Sequence, residues 1–247
     1  MVSSPNKRWY RRPTNSAISS WHSGIKLRIK MHRNSQKRIY GDYVYFITCD
    51  VEDKITFFKE EIFCEFWIEE LRFAKEIKKF ALYAFCLNYD HFHFLIKPDN
   101  KIADYSQIMH FIKRHTSRNI NIILGYNEID LNKISDIHIE GDIESDNGNC
   151  HPKQPIIGNC DDSHRRLRLR EFDEIVWKYR EQYINKYGNN FTHPKFKWQK
   201  SFHDHIIRNE NDLQNHWNYT MYNFLKHNLS ENWKYTGLNF TNLIDDI

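Results

Sequence analysis

At 247 residues, 40% hydrophobic and 15% aromatic, the chain can bury one generous core, with or without appendages. Its longest apolar stretch, Phe80 to Leu87, is far too short to cross a bilayer, and no apolar segment follows the basic N-terminus. A soluble, cytoplasmic protein without a membrane partner is therefore expected, carrying a net charge of +4.

That charge is unevenly spread. Residues 1–40 hold ten Lys or Arg and no Asp or Glu, leaving 26 basic against 32 acidic residues in the remainder. A basic arm on a mildly acidic body suits the gripping of phosphate backbones, and it is equally what a solvated tail looks like. After the arm, Tyr43–Val51 alternates as a strand, and Glu60–Lys79 spaces Phe63, Phe66, Trp67, Phe73 and Ile77 along a helical stripe. Phe80–Asn88 and His91–Lys97 follow as two strands across a short turn at Tyr89-Asp90. Tyr105–Leu124 reads as a second helix, with Lys113, Arg114, His115 and Arg118 forming a basic exposed side. That side is either a solvated face or a phosphate track.

Strand, helix, strand, strand, helix is most of a ferredoxin-like split βαβ unit. The expected fold is α+β, a βαββαβ-type antiparallel sheet with helices on one face. The pattern then degrades: residues 126–194 read as an insertion, irregular around Gly141–Ser163, with a basic run at Arg165–Arg170 and a helix at Phe172–Tyr187. The five cysteines do not favour a disulfide framework. Cys49, Cys64 and Cys86 read as core residues, and Cys150 and Cys160, near His151 and His164, match no zinc spacing. The expected division is thus a basic arm at 1–40, a core at 41–125, the insertion at 126–194, and a helical segment at 195–247 that completes the core.

Within Asn88–Pro98 (NYDHFHFLIKP) the strand period of two places His91 and His93 on one face, with Phe92, Phe94 and Ile96 on the other. In the last helix, capped by Asn209, Leu213, Trp217, Thr220 and Phe224 form a packing stripe. A neighbouring sector collects His216, Tyr219, Asn223 and Lys226, with Tyr219 and Asn223 one turn apart. Packed on the sheet, this helix can offer Asn223 as an oxygen ligand beside His91 and His93, with the Tyr219 hydroxyl above the same metal. A metal so held can polarise a phosphodiester, and a tyrosine can attack phosphorus covalently. The bland readings are sheet histidines in hydrogen bonds, a core tyrosine and an asparagine bracing its helix. His205 and Arg208 either hold DNA phosphate or brace the loop before the helix, and His227 reads as structural.

The His-hydrophobic-His strand resembles the HUH motif, and the whole pattern resembles the single-tyrosine HUH transposases, in particular the REP-associated tyrosine transposases. The resemblance spans roughly residues 40–124 and 195–240, carried by Asn88 to Ile96, Trp198-Gln199 with Phe202, His205 to Arg208, and Tyr219 to Asn228. It implies Tyr219 as nucleophile, His91, His93 and Asn223 as ligands of a divalent metal, Mg²⁺ or Mn²⁺, and Tyr222 as a second, structural tyrosine. It implies single-stranded DNA with hairpins as substrate, cleaved and rejoined through a 5′-phosphotyrosine. Lys113, Arg114, Arg118, His205, Arg208 and Lys226 are then candidate DNA contacts. There are three departures from the family pattern: Asn88-Tyr89 for Met-Pro, Phe224 for Pro and Asn228 for Gly. The alternative is a domesticated, non-catalytic hairpin-binding protein, or a metal-sensing module that leaves the basic arm unexplained. The long insertion permits a monomer or a homodimer.

Overall fold

Six residues, Tyr45–Asp50 (β1), alternate buried with half-buried, so that Tyr45, Ile47 and Cys49 line one face of the sheet. In the computed structural model residues 39–127, 161–188 and 193–247 are described, without the side chains of 161–166. The expected basic arm, apart from Ile39 and Tyr40, lies outside these residues, as do Cys150, Cys160 and His151.

The elements following β1 are α1 (Glu61–Lys78), β2 (Phe80–Leu87), β3 (His91–Pro98), α2 (Tyr105–Ile123), α3 (Asp161–Tyr187), β4 (His203–Ile206), α4 (Glu210–Met221) and α5 (Asn223–Lys226). The sheet is antiparallel in the order β2-β3-β1-β4, which is the ferredoxin-like arrangement, with β3 and β1 central. Local chemistry sets the boundaries. Lys79 closes α1 in the left-handed conformation at φ 50°. Asp104 and Gln107 form a reciprocal capping box at the start of α2, with bonds of 2.8 and 3.0 Å.

The crossover helices α1 and α2 lie on one face, as expected. Phe92 and Phe94, fully buried, set their rings 5.3 and 5.6 Å from Trp67 of α1. Burial of each phenylalanine contributes on the order of 2–3 kcal/mol. α4 covers the opposite face, where Met221 packs with Tyr83, Ala84 and Leu95, and Trp217 donates its indole N–H to the Tyr83 carbonyl at 3.1 Å. Both faces of β3 are therefore covered, which explains why seven of its eight residues are buried.

α3 is longer than the expected Phe172–Tyr187: it begins at Asp161 and takes in the basic run. It forms a further layer over α1 and α2, with Phe172 stacked 4.5 Å from Phe73. Arg168, expected in a basic patch, is instead bonded to Glu76 of α1 at 2.7 Å and paired with Glu171. β4, which the sequence pattern did not place, pairs Ile206, His205, Asp204 and His203 with Tyr45 to Thr48 at the sheet edge. Four residues are too few to display a period of their own. No helix among the described residues is long and apolar enough to cross a membrane.

Candidate metal and tyrosine site

His91 and His93 project from the α4 face of β3, opposite Asp50 and Thr48 of β1, and are 5% and 3% exposed. Each imidazole is held at Nδ1. His91 Nδ1 lies 2.5 Å from Asp90 Oδ1, and His93 Nδ1 lies 2.7 Å from Thr48 Oγ1. Partners of this kind fix ring orientation and leave the other nitrogen as the ligand atom. Burial holds His93 well below the usual histidine range, reinforced by His91, His227 and Lys226 and partly offset by the Asn223 amide that adjoins it. It is thus a neutral ring, the state metal ligation requires.

Asn223 is fully buried beside the pair, although not through the continuous helix expected. α4 ends at Met221, Tyr222 leaves helical geometry at φ −107°, ψ 17°, and Asn223 opens the single turn of α5. Asn223 Oδ1 accepts a 2.9 Å bond from Asn88 Nδ2, which also lies 3.0 Å from His91 Nε2. The NH₂ group of Asn88 thus aims its two hydrogens at two acceptors, and the lone pairs of those acceptors converge on one place. His93 Nε2 and Asn223 Nδ2 are buried with no hydrogen-bond partner among the described residues. Two imidazole nitrogens and an amide, converging and partly unsatisfied, fit a divalent cation.

Tyr219, at the end of α4 and 36% exposed, sets its ring edge-on to His93 at 5.3 Å and to Phe46 at 5.6 Å. Lys226 Nζ sits 3.8 Å from the centroid of the tyrosine ring, and burial lowers its affinity for the proton. Tyr222 is more exposed, at 45%, at the break between the two helices.

His227 was expected to be structural. It lies 4.5 Å from His91 between ring centroids, and its ligand nitrogen, with those of His91 and His93, falls within a 4.8 Å cluster. Two anchors hold its turn: Phe224 and Leu229 are buried, and Leu229 N donates to the Phe224 carbonyl at 3.1 Å. Asn228 takes φ +54°, which accounts for its standing where the family pattern has glycine, since asparagine tolerates the left-handed region.

The remaining expected residues divide. Lys113, Arg114 and Arg118 lie on α2, on the far side of the sheet from the histidines. Lys113 donates to the Gln199 and Lys200 carbonyls at 2.6 and 2.8 Å, and Arg118 meets Asn119 at 3.1 Å and Asp173 at 3.5 Å. His115 is bonded to the buried Glu70 at 2.6 Å. On the side of α2 expected to be basic and exposed, Arg114 is exposed whereas Lys113, His115 and Arg118 are half-buried, because charge spacing does not reveal how deeply a cation is drawn against the rest of the chain. His205 Nε2 and the Arg208 backbone N–H both bond Asp212 Oδ2 at 3.0 Å, while His216 Nδ1 lies 3.0 Å from Oδ1 of the same carboxylate. This cluster fastens β4 to the first turns of the tyrosine helix. The Arg208 residue is exposed.

Two helices behind a four-stranded sheet, a histidine pair on a central strand and a tyrosine helix across it can be compared with known proteins. Residues 41–129 match the family model described as transposase IS200 like. That segment is IS200-transposase-like. The IS200-like segment carries the histidine pair, Thr48, Asn88 and Asp90, whereas Tyr219, Asn223 and His227 come from beyond the match. A solved structure, described as the structure of the REP-associated tyrosine transposase bound to a REP hairpin, is similar at 14% identity and a TM-score of 0.48. The alignment covers 86% of this chain and 89% of that one. No curated protein sequence matches the chain.

Thr48, Asp90, Asn88 and His227 were not singled out as site residues from sequence. Asp90 and Asn88 lie within Asn88–Pro98, so adjacency to the histidine pair is their signal in the sequence. The parts of Thr48 and His227 follow from strand register and from the helix break.

Proposed function

We propose that the protein cleaves and rejoins single-stranded DNA through a covalent tyrosine intermediate, with Tyr219 as the nucleophile. The observation that carries this reading is the convergence of His91 Nε2 and the Asn223 amide with the buried, unpartnered His93 Nε2, beside the Tyr219 ring. His91, His93 and Asn223 would hold a divalent ion, which supplies Lewis-acid polarisation of the scissile phosphate. Thr48 and Asp90 orient the two imidazoles. The Tyr219 oxygen gives up its proton and attacks phosphorus, forming the phosphotyrosine bond as the bond to the 3′ oxygen breaks; that oxygen takes up a proton and leaves as a hydroxyl. Attack by a 3′-hydroxyl on the phosphotyrosine reverses the exchange and rejoins strands, so no nucleotide cofactor is needed. The Lys226 ammonium over the ring favours the negative charge that builds on the phenol as it deprotonates.

Hairpin-bearing strands are the proposed substrate on the strength of the motif resemblance. Lys226, the exposed Arg208 and Arg114 are proposed phosphate contacts, Arg114 only for DNA that extends around the sheet edge.

The test is a denaturing gel of protein incubated with end-labelled hairpin-bearing single strands, with Mn²⁺ or with EDTA. A metal-dependent adduct on the 3′ fragment, lost in Tyr219→Phe and kept in Tyr222→Phe, is expected. Hairpin binding without any adduct would mean a protein that only holds DNA, and loss in Tyr222→Phe alone would move the nucleophile to that residue.

A further inference from the structure

Three histidine rings gather around this site. His91 and His93 meet at 83° and His91 and His227 at 66°, with centroids 4.9 and 4.5 Å apart. The ligand atoms of all three lie within 4.8 Å of one another; an ion about 2.1 Å from each nitrogen spans at most about 4.2 Å, so a small closing movement of the rings brings all three onto it. His91 and His93 already have their Nδ1 atoms occupied by Asp90 and Thr48, which leaves their Nε2 atoms for an ion. The Asn88 NH₂ group, donating to His91 Nε2 and Asn223 Oδ1, marks where those lone pairs converge.

The backbone supports the same assignment. His227 follows directly on α5, the turn that Asn223 opens, and its N–H is tied to the Phe224 carbonyl at 3.2 Å. The left-handed Asn228 and the buried Phe224 and Leu229 fix the turn on either side. Asn223 and His227 are thus presented by one short, anchored unit, four residues apart. His227 remains exposed, so it reaches the site from its solvent side.

We propose that His227 is a ligand of the same centre, so that the ion is held by three imidazoles and the Asn223 amide oxygen. This rests on the reading of the site given above and extends it to the identity of the ion. Imidazole suits Zn²⁺, Ni²⁺ and Fe²⁺ best and binds Mn²⁺, lowest in the transition series, more weakly, whereas Mg²⁺ favours an all-oxygen shell. A centre with three imidazoles therefore selects a transition ion over Mg²⁺, and His227 is the residue that tips the balance.

Metal binding by the full chain, without DNA, tests this. Mn²⁺ is titrated against wild type, His93→Ala and His227→Ala, following the free-ion electron paramagnetic resonance signal, with Mg²⁺ as competitor. His227→Ala is expected to weaken Mn²⁺ at least tenfold and to change Mg²⁺ competition by less than twofold, while His93→Ala abolishes the site. Wild-type Mn²⁺ affinity in His227→Ala, with loss in His93→Ala, overturns the inference and leaves the proposed function standing. Unchanged affinity in His93→Ala means that there is no centre here, and both fall together. Ring ¹⁵N resonances of the wild-type protein, recorded with and without Zn²⁺, avoid reliance on any variant. A His227 nitrogen that moves with those of His91 and His93 supports the assignment, and one that stays in place refutes it.

Discussion

The side-chain amide of Asn88 donates to the Asn223 carbonyl oxygen across 2.9 Å, joining the turn before β3 to the first residue of α5. The two residues are 135 apart in the chain, and both are buried. The same Asn88 nitrogen lies 3.0 Å from His91 Nε2, so the amide satisfies two acceptors that an ion would also use.

That competition gives a direct prediction. Two neutral hydrogen bonds contribute about 0.5–1.5 kcal/mol each, and both must be given up when an ion enters. Asn88→Ala is expected to tighten Mn²⁺ binding about 5- to 150-fold, the equivalent of those two bonds, read by calorimetric titration. Weaker binding would show that Asn88 turns its own oxygen to the ion.

Thr48 supports His93 through a single 2.7 Å bond to Nδ1 and faces it across the β1–β3 register. Removing such an orienting partner commonly lowers metal affinity about 10- to 100-fold. Thr48→Val keeps the shape of the side chain, so a loss of that size is expected with little change in Tm. Unaltered affinity would show that burial alone holds the ring.

Lys226 acts on Tyr219 through its charge, 3.8 Å from the ring centroid. A cation over an aromatic face is worth about 0.5–2 kcal/mol, which corresponds to roughly a 2- to 30-fold effect on rate. Lys226→Met is expected to slow adduct formation within that range. Lys226→Arg should restore most of it, and a defect removed by raising the DNA concentration would instead make Lys226 a phosphate contact.

Acid sensitivity is expected where the start of α1 meets the end of α3. Glu60, just before α1, is held below the usual carboxylate range chiefly by its hydrogen bond to Lys186, then by Tyr187, at the end of α3. A depressed carboxyl stabilises the fold above its unfolded value of 4.5, and that contribution disappears as pH falls through the lower folded value. The pair is partly exposed, so its worth is at most about 1 kcal/mol. Hydrogen exchange in the last turns of α3 should accelerate below pH of about 4.5, and Glu60→Gln should show the faster exchange already at neutral pH. Equal acid sensitivity in the variant would assign the effect to another carboxylate.

Much was legible in the residues because it depends on backbone period alone. Two-residue alternation put His91 and His93 on one face of a strand and the phenylalanines on the other, whatever the sheet packed against. Helical spacing likewise marked Thr220 and Phe224 for burial and left Tyr219 at the edge, and the family motif added the expectation that the two surfaces meet. The break at Tyr222 was not visible, since nothing in a run of helix-compatible residues announces a turn imposed by the anchoring of Phe224 and Leu229. Nor was the inward commitment of Lys113, His115 and Arg118, whose partners lie 45 to 87 residues away. Periodicity is a property of neighbours in the chain, so the sequence by itself determined which side chains share a face. The convergence of Asn88, Asn223 and His227 on the two histidines joins segments more than a hundred residues apart. Only the packing of α4 and α5 against the sheet decided it, because burial and hydrogen bonding between distant surfaces select among arrangements that local spacing leaves equally open.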